Sequence, residues 1–435
     1  MSTAVGVESL AFLAFAFWGG ARLLMGLRPI RAELILWLCS LLALGHGWLV
    51  TLFPQALVER FSGGILPLDK DPWIAFGTID QASSVPAMIS ASACVMVLWM
   101  TLDFGRERLG RLILAGVITA SGLTAALAGL CFHQPAQMAE LWEIRHVPAS
   151  AFGLFWYHGN AAAFLNLSWP AGLWLFIKVL RQPYAGIGQQ VALSALFVTV
   201  LLQITAVFVN LSKVGHVLLL LQLCILAGVC LKYSLQTWDS SALRRALLPT
   251  LILAVLLAVG VWLAGGSALL ERWEVFAGRR FDDAGRRHAA LMALRIGMDY
   301  GWWGAGPGTF EWISAHYSTL DPVLQTGRWK HAHNDYAEIF AEWGWLGSIL
   351  LFLGFLASAC PVLITLWRHT FGAAAGQMHF SRGAGLACFS VAAFSTILHA
   401  CVDFPWQITS CRMLFFMVAG LTIAVSVSTR RSRSE

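Results

Sequence analysis

Apolar runs of near-bilayer length, separated by short connections that gather the charged, Gly and Pro positions, recur along almost the whole chain. They fall at 7–26, 32–53, 85–102, 112–131, 158–180, 191–209, 213–231, 246–268, 345–367, 383–402 and 410–428. About 20 apolar residues suffice for a helix to cross the hydrocarbon core of a bilayer. The pattern therefore predicts an all-α fold, a polytopic membrane helix bundle of about eleven spans.

The connections alternate in basic content. One set carries Arg28 and Arg31, then Arg106, Arg108 and Arg111, then Arg181, then Lys232, Arg244 and Arg245, then Arg368 and Arg382, then Arg430, Arg431 and Arg433. The short connections between them hold little: Arg60 and Lys70, then Arg145, then Lys213. Positive charge in short loops marks the cytoplasmic side, so an N-out, C-in topology satisfies every bias together.

One connection is long. Residues 269–344 are rich in charge, Gly and Trp, and fall on the outer face by the same alternation. Long loops translocate largely regardless of charge, and loops beyond about 15 residues are usually functional or disordered. Helix-like stretches at 287–300 and 333–343 flank the turn Gly304-Ala305-Gly306-Pro307-Gly308, which predicts a folded extracytoplasmic cap. The expected organisation is spans one to eight over 1–268, the cap over 269–344, spans nine to eleven over 345–429, and a basic cytoplasmic tail at 430–435.

Composition agrees with lipid as the solvent. Of 435 residues, 58% are hydrophobic and 12% charged, and the mean hydropathy is +0.69. A soluble protein of that make-up would leave large apolar patches in water. The net charge of +6 is scattered between apolar runs, which argues against a nucleic-acid partner. The nine cysteines lie in or beside apolar segments with no C-x-x-C, so neither a disulfide framework nor a metal site is expected. Met1 to Glu8 lacks the basic start of a cleavable signal, and the first helix is expected to stay in the mature protein.

The densest polar constellation is His331-Ala332-His333-Asn334-Asp335-Tyr336-Ala337-Glu338, followed by Glu342 and Gly344-Trp345-Leu346-Gly347. On a helix, Asn334 shares a face with Glu338, as does Asp335. A histidine near the outer membrane surface is suited to general-base chemistry. Metal binding by His331, His333 and Asp335 is the weaker alternative, since H-x-H on one loop fixes no geometry. The plainer reading has both histidines simply hydrogen-bonded in a loop. The Gly-rich turn lacks the strand and the G-K-[ST] ending of a nucleotide-binding loop. Most of the 20 Trp residues fall at or within spans; Trp302, Trp303, Trp312 and Trp329 in the long loop are candidates for sugar stacking.

The segment His333-Asn334 followed after nine residues by Gly344-x-x-Gly347 resembles the signature of the bacterial O-antigen ligase and polysaccharide polymerase superfamily of membrane glycosyltransferases. Arg286-Arg287-His288 and the run Tyr300 to Phe310 look like that family's Arg-led helix and Gly-rich turn. Gly159-Asn160, Asn210-Leu211-Ser212-Lys213-Val214-Gly215 and His399-Ala400-Cys401-Val402-Asp403-Phe404 match further, so the resemblance covers roughly 155–410. It departs at Lys213, where the family usually has Arg: the charge is kept but the two-pronged donor is lost. Ser348 after the second Gly is a milder change.

The resemblance implies a fold similar to the GT-C type, seated in the bacterial inner membrane with its active site on the periplasmic face. It implies transfer of a glycan from a polyprenyl-diphosphate-linked donor to an acceptor hydroxyl, inverting, with no metal and no cofactor. The acceptor would be another glycan, lipid A core or a protein hydroxyl, the last making it a protein O-oligosaccharyltransferase. His333 would be the catalytic base. Lys213, Arg286 and Arg287 would hold the diphosphate, and His331, Asn334, Asp335, Glu338, Asn160 and Asp403 would support them. A polysaccharide or lipid transporter is the alternative from another class, but no matched pair of interrupted helices in two halves supports it.

Overall fold

The computed structural model describes residues 2–25, 31–58, 65–67, 76–132, 139, 148, 150–182, 186–237, 284–318, 328–370 and 380–431. The expected span at 246–268 and the cap segments 269–283 and 319–327 lie outside the described residues. In chain order the helices are α1 (Ser2–Leu24), α2 (Arg31–Leu52), α3 (Gln81–Phe104), α4 (Arg108–Cys131), α5 (His158–Leu180), α6 (Ile187–Val209) and α7 (Lys213–Thr237). They continue with α8 (Ala284–Tyr300), α9 (Phe310–Ser318), α10 (Asp335–Thr370), α11 (Phe380–His399) and α12 (Thr409–Arg431). A two-stranded antiparallel hairpin, β1 (Ala56–Val58) with β2 (Ile65–Pro67), follows α2 and pairs Leu57 with Leu66. Among the described residues nine helices are long and apolar enough to cross a membrane: α1 to α7, α10 and α12. The apolar part of α11, Gly383–His399, is shorter. The chain is thus a polytopic helical membrane protein.

The predicted span 383–402 is corrected at its end. Helix α11 stops at His399, because the carbonyls of Ala400 and Cys401 are taken by the Asp335 backbone N–H (2.9 Å) and the Asn334 side-chain amide (2.9 Å). Carbonyls engaged in this way cannot continue a helical ladder.

The residues form two compact units. One comprises Thr101–Phe281, Val362–His399 and Met417–Glu435, with α5 at its centre. Small residues Ala161, Ala162, Ala163 and Ala171 let α4, α6, α7 and α11 pack around it. A Cβ on Gly122 would fall 2.1 Å from Ser168 Oγ, so α4 and α5 cross at backbone distance. Buried amides join these helices. Gln203 Nε2 donates to Thr119 O (3.1 Å) and Ser168 Oγ to Gln203 Oε1 (2.9 Å). Gln222 accepts from Trp169 Nε1 (2.7 Å) and donates to Asn166 O and Ser395 Oγ. In lipid such bonds contribute about 0.6 kcal/mol apiece and fix register.

The other unit comprises Met1–Met100, Asp282–Pro361 and Ala400–Phe416. Its polar-end core gathers Ala56, Ile79, Met292, Ala293, Ile296, Ala305, Phe310, Ile313, Ala332, Ala337 and Ala341. This core joins α8, α9 and the first turns of α10 to the β hairpin. A hydrogen bond from the Tyr317 hydroxyl to Asp299 (2.6 Å) braces α8 against α9; burial and that bond push the hydroxyl pKa well up.

Helix α10 is broken at Gly344 (φ 61°, ψ −167°). The break leaves the carbonyls of Ala341 and Glu342 and the N–H groups of Trp345 and Leu346 without helical partners. The Gly-rich segment supplies all four replacements: Ala305 N to Ala341 O and Gly306 N to Glu342 O (both 2.9 Å), Trp345 N to Gly301 O (3.0 Å) and Leu346 N to Trp302 O (3.1 Å). Added Cβ atoms at Gly304 or Gly344 would meet the opposing backbone at 2.3–2.5 Å. Both glycines are needed for this backbone approach and for their positive φ.

Candidate active site

Asn334 caps α10. Its Oδ1 accepts from Ala337 N (3.0 Å), its carbonyl accepts from Glu338 N (3.0 Å), and its amide reaches Cys401 O. Asp335, fully buried, accepts from Trp406 N through Oδ2 (2.9 Å). These bonds clamp the segment 400–406 across the start of α10. The clamp brings Asp403 to His333: Nδ1 and Oδ1 are 3.4 Å apart, and the same Oδ1 accepts from Phe404 N (3.1 Å). His333 itself has φ 52°, a left-handed conformation uncommon for a non-glycine residue.

His331 is held in the same manner. Its Nδ1 lies 3.0 Å from Oε1 of Glu338, whose Oε2 accepts from Ala332 N (2.7 Å). Glu338 is 2% exposed. Phe404 serves both imidazoles: His331 stacks on it (4.5 Å, 22°) and His333 meets it edge-on (4.9 Å, 77°). An ionised carboxylate only accepts, so the 3.0 Å hydrogen bond to Glu338 favours the proton on Nδ1 of His331 and leaves its Nε2 as the basic nitrogen, while Asp403 faces Nδ1 of His333 at ion-pair distance.

Glu342, one turn further along α10, turns to α9. Its Oε1 accepts from Phe310 N (3.0 Å), placing a carboxylate on the N-terminus of α9. The Arg412 guanidinium on α12 donates to Ser90 Oγ (2.5 Å), and its charge acts on both Asp335 and Glu342.

Arg286 and Arg287 stand in the first turns of α8, the former half-buried and the latter exposed. Trp329 connects this helix start to the histidines. It lies against Gly285, where a Cβ would be 3.2 Å from its ring, and edge-on to His333 at 6.3 Å. Of the other loop tryptophans, Trp303 packs on Phe76 (4.8 Å), Trp312 lies under Arg328 (4.3 Å), and Trp302 is 63% exposed.

Lys213 and Asn160 belong to the unit centred on α5. Lys213 is the first residue of α7, after the turn Asn210-Leu211-Ser212. Asn210 Oδ1 accepts from Ser212 N (2.8 Å), and its amide donates to His158 O (2.6 Å), tying the turn to the start of α5, where Asn160 is buried. Ser212 Oγ accepts from Gly215 N (3.2 Å) and Leu211 has φ 60°. Cations are disfavoured at helix N-termini. Lys213 at the start of α7 and the Arg pair at the start of α8 both break that rule, and both therefore make strongly anion-attracting ends.

Among the described residues, no group of three His, Cys, Asp or Glu is placed to hold a metal ion. Each member of the H-x-H-x-Asp set has its own partner: His331 faces Glu338, His333 faces Asp403 and Asp335 accepts from Trp406 N.

Sequence reasoning did not find Phe404 as a shared platform or Glu342 as the cap of α9. Only the first had a signal, its place beside Asp403. A family model described as O-antigen ligase matches residues 198–352, a stretch that includes Lys213, Arg286, Arg287, His331, His333, Asn334, Asp335 and Glu338. No curated protein matches the chain.

Proposed function

From a chain whose match supports the O-antigen ligase superfamily, we propose a membrane glycosyltransferase that moves a glycan from a polyprenyl-diphosphate donor to an acceptor hydroxyl. The coarser reading, a glycosyltransferase-like ligase acting on glycan and lipid-linked substrates in a membrane, follows from the family and the helix bundle. What carries the finer one is the carboxylate-held imidazole of His333 at the start of α10, inside the matched stretch.

In this proposal His333 Nε2 takes the proton of the acceptor hydroxyl as its oxygen attacks C1 of the donor sugar. The bond from C1 to the phosphate oxygen breaks, the configuration at C1 inverts, and the lipid diphosphate leaves with the electron pair. A diphosphate is a good leaving group once its charge is met, so it needs cations more than an acid. Lys213, Arg286 and Arg287 take that role, each at a helix start whose backbone N–H groups add to the field. Asp403 keeps the His333 proton on Nδ1 and stabilises the imidazolium that forms. His331 lines the approach of the acceptor, Asn334, Asp335 and Glu338 hold the clamp, and Asn160 supports the turn before Lys213. The chemistry requires neither metal nor nucleotide sugar. The site faces the periplasmic side of the inner membrane, with the N-terminus outside and the C-terminus inside.

The test is transfer in proteoliposomes supplied with a polyprenyl-diphosphate glycan and a glycan acceptor. His333→Ala should lower the rate by about 10²–10⁴, the range a positioned base contributes, with intact donor accumulating. Wild-type transfer by that variant would remove His333 from the reaction.

A further inference from the structure

Helix α8 is apolar on two opposite faces. Ala289, Met292, Ala293 and Ile296 are buried in the core of the cap. Opposite them, Leu291 (53% exposed), Leu294 (42%) and Met298 (60%) point away from the protein, and Trp302 (63%) continues the stripe just beyond the helix. Arg287 heads this stripe, with Arg295 and Asp299 along one border. A helix covering a water-exposed cap would show a polar outer face. An outer stripe of Leu, Met and Trp edged by Arg is instead the make-up of helices that lie in a membrane interface.

The position of the stripe agrees. The Trp302 carbonyl accepts from Leu346 N and the Gly301 carbonyl from Trp345 N, so α8 ends where the apolar length of α10 begins. From there on, α10 exposes Trp345, Ile349, Phe352 and Leu353. Gly297 seats α8 on Phe340, which in turn packs on Trp345 (4.7 Å). The exposed stripe of α8 is thus tied to the exposed apolar side of a candidate spanning helix, at the end where that helix leaves its Gly344 break.

We propose that α8 lies in the headgroup layer of the bilayer, with Leu291, Leu294, Met298 and Trp302 immersed at the acyl boundary and Arg287 and Arg295 among anionic headgroups. The cap is then moored to the membrane along its first helix. One consequence rests on the proposed function: the Arg286–Arg287 pair is held at the height at which a polyprenyl diphosphate presents its charge.

The test reads immersion without reading activity. Spin labels are attached through a ketone-bearing amino acid at 291, 294, 298, 299 and 302, in full-length protein in phosphatidylethanolamine–phosphatidylglycerol vesicles. Phe352 serves as the lipid reference and Lys330 as the water reference. Collision with oxygen should exceed collision with a nickel chelate at 291, 294, 298 and 302, as at 352, and the order should reverse at 299. Chelate-dominated collision along the stripe would place α8 in water and overturn the proposal. Protection from both reagents would overturn it too, because protein, a second copy included, would then cover the stripe. Loss of transfer with an immersed stripe would count against the proposed reaction and leave the mooring intact.

Discussion

His333 Nδ1 stands 3.4 Å from Asp403 Oδ1, across 70 residues of sequence, because Asn334 and Asp335 grip the carbonyls of Cys401 and Ala400. The imidazole is thus oriented by a segment that α10 itself holds in place. Asp403→Asn keeps the size of the side chain and removes the carboxylate charge that faces Nδ1 of the imidazole. Transfer should fall by about a hundredfold or more, within the share of rate a positioned base supplies. The loss should appear in kcat and spare KM, with the thermal midpoint in detergent little changed. A loss confined to KM would assign Asp403 to substrate binding.

The exchange of backbone bonds around Gly344 makes a second prediction. Gly344→Ala puts a Cβ 2.5 Å from Gly301 O and Gly304 N at a left-handed φ, which alone costs about 1–2 kcal/mol. The variant should lose well over that amount, since the Gly-rich segment must withdraw from α10. Gly354→Ala, on the same helix with its nearest neighbour at 3.8 Å, should be neutral or gain up to about 1 kcal/mol. Thermal unfolding of both variants in one detergent checks this, and equal midpoints would refute it.

How much of this could be read along the chain depended on range. The helix at 158–180 was legible to the residue, since an apolar run between Gly-rich ends reports itself locally. So was a helix beginning near Asn334 and interrupted at Gly344, because capping and glycine signals are local as well. The hairpin was not, for strands of three residues carry no period. Nor were the role of Phe404 or the use of Glu342 as a cap for α9, which starts 32 residues earlier. Those depend on partners brought together by folding, and neither residue type announces them.

His331 and Glu338 separate stability from rate. His331→Ala removes the stack on Phe404 and one of the donors to a buried carboxylate. A group left short of partners in that way costs about 1–3 kcal/mol. The variant should therefore melt earlier than the wild type yet retain more transfer than His333→Ala. A His331→Ala protein with an unchanged midpoint and no transfer would make His331 the base.

Topology has its own check. Alkaline phosphatase fused after Gly327 should be active, and fused after Arg245 inactive, because the first position is expected outside and the second among the basic connections inside. The reverse pattern would place the histidines in the cytoplasm, where a donor presented from the outer leaflet is out of reach.

Lys213 offers the sharpest separation of function from folding. A cation at the first residue of α7 opposes the helix dipole, an effect of about 0.3–1 kcal/mol, so the dipole does not favour it there. Lys213→Ala should therefore forfeit no dipole stabilisation and keep a thermal midpoint near that of the wild type, while abolishing transfer. Lys213→Arg restores the charge and adds a two-pronged donor, so it should retain activity. Binding of a polyprenyl diphosphate without its sugar, read by competition, should weaken in Lys213→Ala and persist in Lys213→Arg. Full transfer by Lys213→Ala would remove that lysine from the diphosphate site and leave the charge to Arg286 and Arg287.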